Sequence, residues 1–280
     1  MNNILSFDIE SWVHLSDGIL PPSIPLRSEE RKKFDADYLP RAIDHLLRIL
    51  SESNNSATFF ILGEVFEWYP ESIRNILREG HELAYHGHDH NLIINSKILK
   101  DQLDRSREFM ETFQPKGFRA PKLYLRPEET TLLHQEGFRY SSSSYGPFTD
   151  ENIINGIAEI PISTYPWQKI TIPPPGLPRD LRAGMIFKEI PFGSGIGAAL
   201  LGSKTGYYIN KLNSRSIPSV LMLHPWQLMV PPEISGLSFR MKVIFSSPFY
   251  LPYTLRREKC LSRLIKQHNF TSFSGYMNHD

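Results

Sequence analysis

Short apolar runs alternate with amphipathic segments along most of the chain, which is the pattern of an α/β fold. A set of leucine and isoleucine positions recurs at helical spacing and predicts an amphipathic helix: Leu39, Ile43, Leu46, Leu47 and Leu50. The pattern predicts further helices at 71–79, 96–112, 127–136 and 255–267. It predicts strands at 4–9, 57–62, 83–85, 117–120 and 219–223, and a terminal strand near 271–273.

In the stretch from Thr164 to Ser216, the apolar residues follow neither the spacing of a helix nor that of a strand. Its prolines at 173–175 and 178 and its glycines at 193, 195, 197, 202 and 206 predict irregular loops. The glycine run 193–197 departs from both the dinucleotide fingerprint and the P-loop, so it is interpreted as a loop over a substrate site or as plain structural glycines. The sequence has no internal repeat and no low-complexity tail, and we predict one domain over residues 1–280.

Four polar residues lie where predicted strands stop: Asp8, His86, Arg119 and His224. In a barrel of parallel strands, these strand ends face one rim, which is where such folds carry out their chemistry. We therefore expect residues that are far apart in the sequence to converge on one site.

His86 and His90 form an H-x-x-x-H pair, and this spacing can place both imidazoles towards a single metal ion. His88 lies between them and is expected to point elsewhere. A polar surface loop is the alternative, although three of the ten histidines of the chain fall within these five residues. Gly87 occupies the position that a zincin protease gives to glutamate, which disfavours that class.

Asp8 and Glu10 end an apolar strand, where packing alone does not explain two acids. Residues two apart point to the same side of a strand, so one acid can bind an ion while the other takes a proton from water. A pair of solvated acids is the alternative. Imidazole and carboxylate together suit zinc first, with cobalt or nickel as further candidates. Two histidines and one carboxylate leave a coordination position open for water, which predicts a metallohydrolase.

Composition excludes several classes of protein. The 31 basic and 30 acidic residues give a net charge of +1, hence no global field that recruits nucleic acid or an anionic membrane. The single cysteine excludes a disulfide framework and fits a reducing compartment. The N-terminal residues lack the pattern of a signal peptide, and no apolar run approaches about 18 residues. We therefore predict a cytoplasmic protein without a transmembrane segment.

The motifs together resemble the polysaccharide deacetylases of the NodB-homology type, carbohydrate esterase family 4, over about residues 4–275. The matching motifs are Ser6-Phe-Asp-Ile-Glu10, Gly80-His-Glu-Leu-Ala-Tyr-His-Gly-His-Asp-His90, Phe118-Arg-Ala-Pro121 and Leu221-Met-Leu-His-Pro-Trp226. The Phe-Asp-x-Glu start, the segment Glu159-Ile-Pro161 and the His-Pro-Trp ending are most similar to the exopolysaccharide-associated subgroup. The resemblance implies a distorted (β/α)7-type barrel.

The resemblance also implies a role for each matching residue. Asp8 would be the catalytic base, Arg119 would pair with it, and His224 would be the general acid. Glu10, His86 and His90 would bind the metal ion, with Glu10 in place of the aspartate usual in the family. Pro121 and Trp226 would contact the substrate, an N-acylated glycan or lipid-linked sugar.

The implied activity is metal-dependent removal of an N-acyl group, N-acetyl first, from an amino sugar in a polysaccharide, an oligosaccharide or a lipid-linked glycan. The alternatives are another amide hydrolase on the same scaffold, such as a deformylase or an allantoinase-like enzyme, and a metal-bearing carbohydrate-binding protein without turnover. One departure from the family pattern supports the carbohydrate-binding protein. The family orients its catalytic histidine with an aspartate, whereas this chain has Ser141 in that region, and only Asp150 lies near as a substitute. Loss of that charge is expected to lower the pKa of His224.

Overall fold

The computed structural model describes residues 1–15, 27–148, 152–166, 177–179, 185, 187–246 and 248–278. The prolines at 173–175 and Asp150, for which the sequence suggested roles, lie outside these residues. Within the described part of the chain, no helix is both long and apolar enough to cross a bilayer.

A curled, mainly parallel sheet forms the centre of the fold. Its strands in chain order are β1 (Asn3–Ile9), β2 (Thr58–Ile61), β3 (Glu82–Tyr85), β4 (Gly117–Phe118), β5 (Tyr140–Ser141), β7 (Ile153–Ile154), β8 (Ile157–Glu159), β12 (Val220–Leu223) and β13 (Phe270–Thr271). The strand order is β12-β1-β2-β3-β4-β5-β8-β7, and β13 also pairs with β1. Among the described strands of this sheet, β7 alone runs antiparallel to its neighbour. Helices pack around the parallel strands, which is the layered arrangement expected for such a sheet.

Short strands lie near β12, on the side away from β1. These are β6 (Tyr145–Gly146) and β9 (Ile162–Ser163), which pair with each other, and β10 (Tyr165–Pro166) and β11 (Glu189–Ile190), which also pair. The Val220 N–H donates to the Ser163 hydroxyl at 2.8 Å, and the Met222 N–H donates to the Gly193 carbonyl at 2.8 Å. The sheet thus curls into a half-barrel whose open side is bridged by loop backbone and side chains.

The helices before β5 are α1 (Trp12–Leu15), α2 (Ser28–Asp35), α3 (Tyr38–Ser53), α4 (Gly63–Trp68), α5 (Pro70–Arg78), α6 (Ser96–Arg105), α7 (Arg107–Phe113) and α8 (Pro127–Gln135). Those that follow are α9 (Gly195–Leu201), α10 (Thr205–Asn213), α11 (Pro225–Leu228), α12 (Pro232–Ser235), α13 (Leu237–Ser246), α14 (Glu258–Gln267) and α15 (Phe273–Met277). Within the described residues, three 3₁₀ helices add to these: Pro121–Leu123, Gly202–Lys204 and Pro248–Thr254. The leucine and isoleucine positions that predicted α3 are buried, which confirms that helix.

Several predicted elements differ from the structure. The helix predicted at 96–112 is two helices, because the backbone at Ser106 leaves the regular helical conformation. The Ser106 hydroxyl bonds Tyr85 and His88 at 3.0 Å each, which holds this break against the strand end that carries the histidines. The strand predicted at 117–120 ends at Phe118, and the last helix begins at Glu258 rather than near residue 255.

Two further expectations about the C-terminal half were wrong. The terminal strand ends at Thr271, and Phe273 begins a helix whose N-cap is Ser272. The glycine-rich region predicted as irregular contains α9 and α10. The Ser194 hydroxyl accepts the Gly197 N–H at 2.8 Å and caps α9, so local capping outweighs the low helix propensity of the glycines there.

Candidate metal and active site

Strand register brings the polar strand ends together. β1 and β12 pair through Phe7 and Leu223, so the next residues, Asp8 and His224, emerge at the same edge of the sheet. β3 and β4 pair through Tyr85 and Phe118, which does the same for His86 and Arg119. The four side chains that the sequence singled out therefore meet at one rim.

Asp8 is held by a buried arginine. An Arg119 Nη1–H donates to Asp8 Oδ1 at 2.5 Å and to the Ser6 hydroxyl at 3.0 Å. The other guanidinium nitrogens donate to the carbonyl and hydroxyl of Ser142, and the group lies 4.0 Å from the centre of the Phe60 ring. Arg119 is fully buried, so the guanidinium fixes one oxygen of Asp8 and leaves the other towards the site.

The hydrogen bond of His86 determines which ring nitrogen can bind an ion. His86 Nδ1 lies 2.8 Å from the Arg119 carbonyl oxygen, and since a carbonyl only accepts, Nδ1 carries the proton. The lone pair of His86 Nε2 is therefore directed into the site. This nitrogen is buried without a hydrogen-bond partner among the residues that the structure describes, and lies 3.8 Å from Asp8 Oδ2.

Glu10 connects the histidines from two sides of the rim. Its Oε2 lies 3.3 Å from His90 Nε2, and its Oε1 lies 3.0 Å from His224 Nε2. Burial alone would raise the pKa of Glu10, but its electrostatic interaction with His90 and its hydrogen bond and electrostatic interaction with His224 outweigh burial and hold the pKa well below its ordinary value. Burial lowers the pKa of His90 to about 3, so that imidazole is neutral and able to bind a metal ion.

These donors fit a divalent metal ion. One ligand atom each from Glu10, His86 and His90 lie within 4.8 Å of one another, and the unpartnered Nε2 of His86 is the atom such an ion would satisfy. Asp8, Glu10 and His224 meet the same distance criterion. The first set agrees better with the hydrogen bonds, because Asp8 is already bound by Arg119 and His224 by Glu10.

His224 has neighbours that the sequence did not suggest. Its Nδ1 lies 3.3 Å from Gln227 Oε1, which also accepts the His224 N–H at 2.9 Å. The Gln227 amide is fixed in turn by donating to the Gly195 carbonyl at 2.8 Å. Burial lowers the pKa of His224, but the hydrogen bond and charge of Glu10 outweigh it, and the pKa is raised. The missing aspartate led us to expect a lowered pKa for His224. This lowering is absent because Glu10 supplies the negative charge.

The region of the absent aspartate is a buried serine cluster. Ser141 pairs in register with Glu159 on β8, and the Ser143 N–H and Ser144 hydroxyl both donate to Glu159 Oε1 at 2.8 Å. Burial raises the pKa of Glu159, and its Oε2 has no partner. The buried acid thus lies one strand away from position 141 and bonds the serine loop.

A cavity of about 250 Å³ opens above these groups. Its lining includes the acids and histidines of the site and an aromatic wall of Tyr145, Trp226, Tyr250 and Tyr253. Trp226 is only 1% exposed, and stacks on the His224 ring at a centroid distance of 4.5 Å, so one of its faces is already covered. The described lining includes Ala120, Lys122 and Leu123 rather than Pro121, which packs beside Gly87.

The sequence did not indicate His14 and Glu64, a hydrogen-bonded pair that supports the cavity wall. His14 lines the cavity, and its ring lies edge-on to His90. The Ser11 N–H donates to His14 Nδ1 at 2.9 Å, so His14 Nε2 carries the proton that it donates to Glu64 at 2.7 Å. Arg31 donates to the other oxygen of Glu64 at 2.6 Å. Glu64 follows an apolar run in the sequence, and this was the available signal.

We expect the free energy of unfolding of Glu64→Gln to depend less on pH below about pH 4.5 than that of the wild type. Burial raises the pKa of Glu64, but its hydrogen bond and electrostatic interaction with His14, together with the hydrogen bond and charge of Arg31, outweigh burial and lower the pKa to about 2. A depressed folded-state pKa stabilises the fold above about pH 4.5, and this contribution is lost as the pH falls towards about 2. The shift corresponds to about 3 kcal/mol of unfolding free energy at neutral pH.

The measurement is urea unfolding of both proteins between neutral pH and about pH 3, with a chelator present so that metal release does not contribute. Glu29→Gln, an exposed acid on the helix that carries Arg31, is the matched control and should follow the wild-type profile. If the free energy of unfolding of Glu64→Gln fell with decreasing pH as steeply as that of the wild type, the charge of Glu64 would not be what stabilises the pair.

Comparison with known proteins gives a family match for part of the chain. Residues 33–141 match the polysaccharide deacetylase family model. This range contains His86, His90 and Arg119, whereas Asp8, Glu10 and His224 lie outside it. A peptidoglycan-N-acetylglucosamine deacetylase of Bacillus cereus is 32% identical over 104 residues, which are 36% of this chain and 35% of the relative. The peptidoglycan deacetylase-like protein FGM2 of Gibberella zeae is 31% identical over 111 residues, 37% of this chain and 33% of the relative.

The chain thus aligns with about a third of the length of these two relatives. A crystal structure assigned as a polysaccharide deacetylase of Mycobacterium smegmatis shares the fold, with a TM-score of 0.59 and 19% identity, over 100% of this chain and 91% of that one. This similarity confirms the expected distorted α/β barrel. The chain is thus similar to the polysaccharide deacetylase family over residues 33–141, and it shares the fold of that solved structure.

Proposed function

We propose that the protein is a metal-dependent hydrolase that removes an N-acyl group, N-acetyl first, from an amino sugar of a polysaccharide, an oligosaccharide or a lipid-linked glycan. The observation that best supports this proposal is that one ligand atom each from Glu10, His86 and His90 lie within 4.8 Å of one another. Asp8 lies beside His86, and His224 lies beside Glu10. The partial matches to enzymes named as peptidoglycan deacetylases support this substrate class.

In this proposal Glu10, His86 and His90 hold the ion, with zinc first and cobalt or nickel as alternatives. When bound, such an ion polarises the acyl carbonyl and lowers the pKa of water. Asp8, held by Arg119, accepts the proton of the attacking water through its free oxygen. His224 donates a proton to the leaving amine, and the cavity, which is smaller than most ligand pockets, holds one end of the glycan.

The assignment to the exopolysaccharide-associated subgroup is also a proposal. Two of its three signatures have structural roles that support it. Glu159 of the Glu-Ile-Pro segment bonds the serine loop that holds Arg119, and Trp226 of the His-Pro-Trp ending stacks on the proposed general acid. The cytoplasmic location and the single domain over 1–280 stay predictions from the sequence.

The test is metal analysis of the purified protein together with acyl release from a substrate panel. We expect bound zinc, acetate release from N-acetylated oligosaccharides, loss of this activity on chelation and its return on adding zinc. Formate release from N-formyl sugars or hydrolysis of allantoin, without acetate release, would assign the site to the other amide hydrolases. Retained metal without turnover on any member of the panel would contradict the hydrolase proposal and favour the binding protein.

We expect Gln227→Leu to reduce kcat by about tenfold while the zinc content stays unchanged. The change removes the acceptor for His224 Nδ1 and leaves the His224 N–H without its partner. Gln227→Glu keeps an acceptor oxygen at the same place and should retain more activity. Equal losses in both variants would mean that the contact supports only the fold of α11.

A further inference from the structure

Helix α13 exposes an apolar stripe to solvent. Leu237 and Phe245 are 75% and 80% exposed, and Met241 and Ile244 are 42% and 44% exposed. The spacing of these four residues places them on one side of a helix, while Phe239 and Val243 are buried on the opposite side. The helix is therefore apolar on two faces, and among the described residues only one of these faces packs against the protein.

Basic residues border this stripe. Arg240 and Lys242 fall on its two sides at helical spacing, and Lys242 is exposed. Residues 237–263 contain six basic side chains and one acidic one, a net charge of +5, whereas the rest of the chain has 25 basic and 29 acidic side chains. The near-neutral total thus conceals a positively charged stretch of sequence that begins with α13.

The stripe lies next to one wall of the candidate active site. Helix α13 packs against the 3₁₀ helix Pro248–Thr254. From this 3₁₀ helix, Tyr250 and Tyr253 line the cavity, and Leu251 is 39% exposed. A surface that binds the stripe would therefore lie beside the wall of the cavity that these tyrosines form.

We propose that α13 docks on an anionic lipid surface, with the side chains of Leu237, Met241, Ile244 and Phe245 inserted among the acyl chains near the headgroups. An apolar stripe bordered by cations matches the interface of such a membrane, where apolar burial and attraction to lipid phosphates act together. A two-fold dimer through the same stripe would bring the two positively charged stretches towards each other, which disfavours a second copy as the partner. On the proposed function, docking favours lipid-linked glycans among the possible substrates.

The experiment is co-sedimentation of the full chain with vesicles of phosphatidylcholine containing about a third phosphatidylglycerol, against vesicles of phosphatidylcholine alone. We expect binding to the anionic vesicles that weakens at high salt. L237S/F245S should lower the partition coefficient by about tenfold or more. L77S/I153S is the matched control, since Leu77 and Ile153 are 51% and 69% exposed away from α13, and it should bind as the wild type does.

Absence of wild-type sedimentation with anionic vesicles at low salt would overturn the proposal. An equal loss in the two double variants would overturn it as well. Light scattering that shows a wild-type dimer and a monomeric L237S/F245S would assign the stripe to a second copy instead. Circular dichroism establishes that each variant is folded. Vesicle binding requires no turnover, so this result and the test of hydrolysis fail independently of each other.

Discussion

Asp8→Asn is expected to lower kcat by about 10²–10⁴-fold while the protein keeps its metal ion. The amide oxygen of asparagine can still accept the Arg119 N–H, so the shape of the site is retained, but the side chain no longer accepts a proton from water. The change also leaves the fully buried Arg119 without its charged partner, which costs about 3–5 kcal/mol of unfolding free energy. Activity and zinc content are therefore measured well below the melting temperature of the variant.

Asp35→Asn is the matched control for the loss of stability. Asp35 is also buried, accepts hydrogen bonds from Ser11 and Tyr69, and lies outside the lining of the cavity. It should destabilise the fold with little effect on kcat. Release of zinc from Asp8→Asn would reverse the roles of base and ligand, and would favour Asp8, Glu10 and His224 as the metal-binding set.

His86→Ala should remove both the metal ion and the activity. The imidazole is fixed by its bond to the Arg119 carbonyl, and its Nε2 has no partner within the described residues, so the variant loses a prepared ligand. Two ligands retain an ion far more weakly than three, and we expect zinc content near background and turnover at the limit of detection. Metal analysis and acetate release on the same preparation provide the measurement.

His88→Ala is the control for His86→Ala. His88 lies between His86 and His90 in the sequence and is also buried. Its Nδ1 bonds the Ser106 hydroxyl at 3.0 Å instead of reaching the cavity. Its loss should reduce stability by about 1–3 kcal/mol and leave the zinc content unchanged. If His86→Ala kept its zinc and His88→Ala lost it, the assignment of ligands along this loop would be wrong.

The sequence predicted much of the site because strand ends carry its chemistry. Asp8, His86, Arg119 and His224 follow from where apolar runs stop, and parallel pairing in register places them at one rim. The bond between Glu10 and His224 could not be predicted, because it depends on the longer arm of glutamate and on the relative positions of two strand ends. Gln227 lies within one turn of His224, and its role depends on Gly195, which contacts it from a distant helix.

Tertiary context also explains the errors in the fold. Ser106 occupies a continuous helical pattern, but the side chains of Tyr85 and His88 draw its hydroxyl towards the strand end and divide the helix. The helices after Gly193 were missed because glycine content argued against them, while the cap at Ser194 favoured them. Helix α13 carries apolar residues on two sides, so periodicity alone could not separate the packed face from the exposed one.

The central position of β1 has a consequence for the order of folding. This strand pairs with β2 early in the chain, and with β12 and β13 more than two hundred residues later. Such distant pairings close slowly, since the entropy of a long loop is lost before the contacts that offset it form. Asp8 and His224 therefore come together among the last events of folding, and the segment that matches the family model lacks both of them. A shortened chain that keeps His86 and His90, the proposed metal ligands, but loses β12 would lack His224, and its β1 would have no partner on that side.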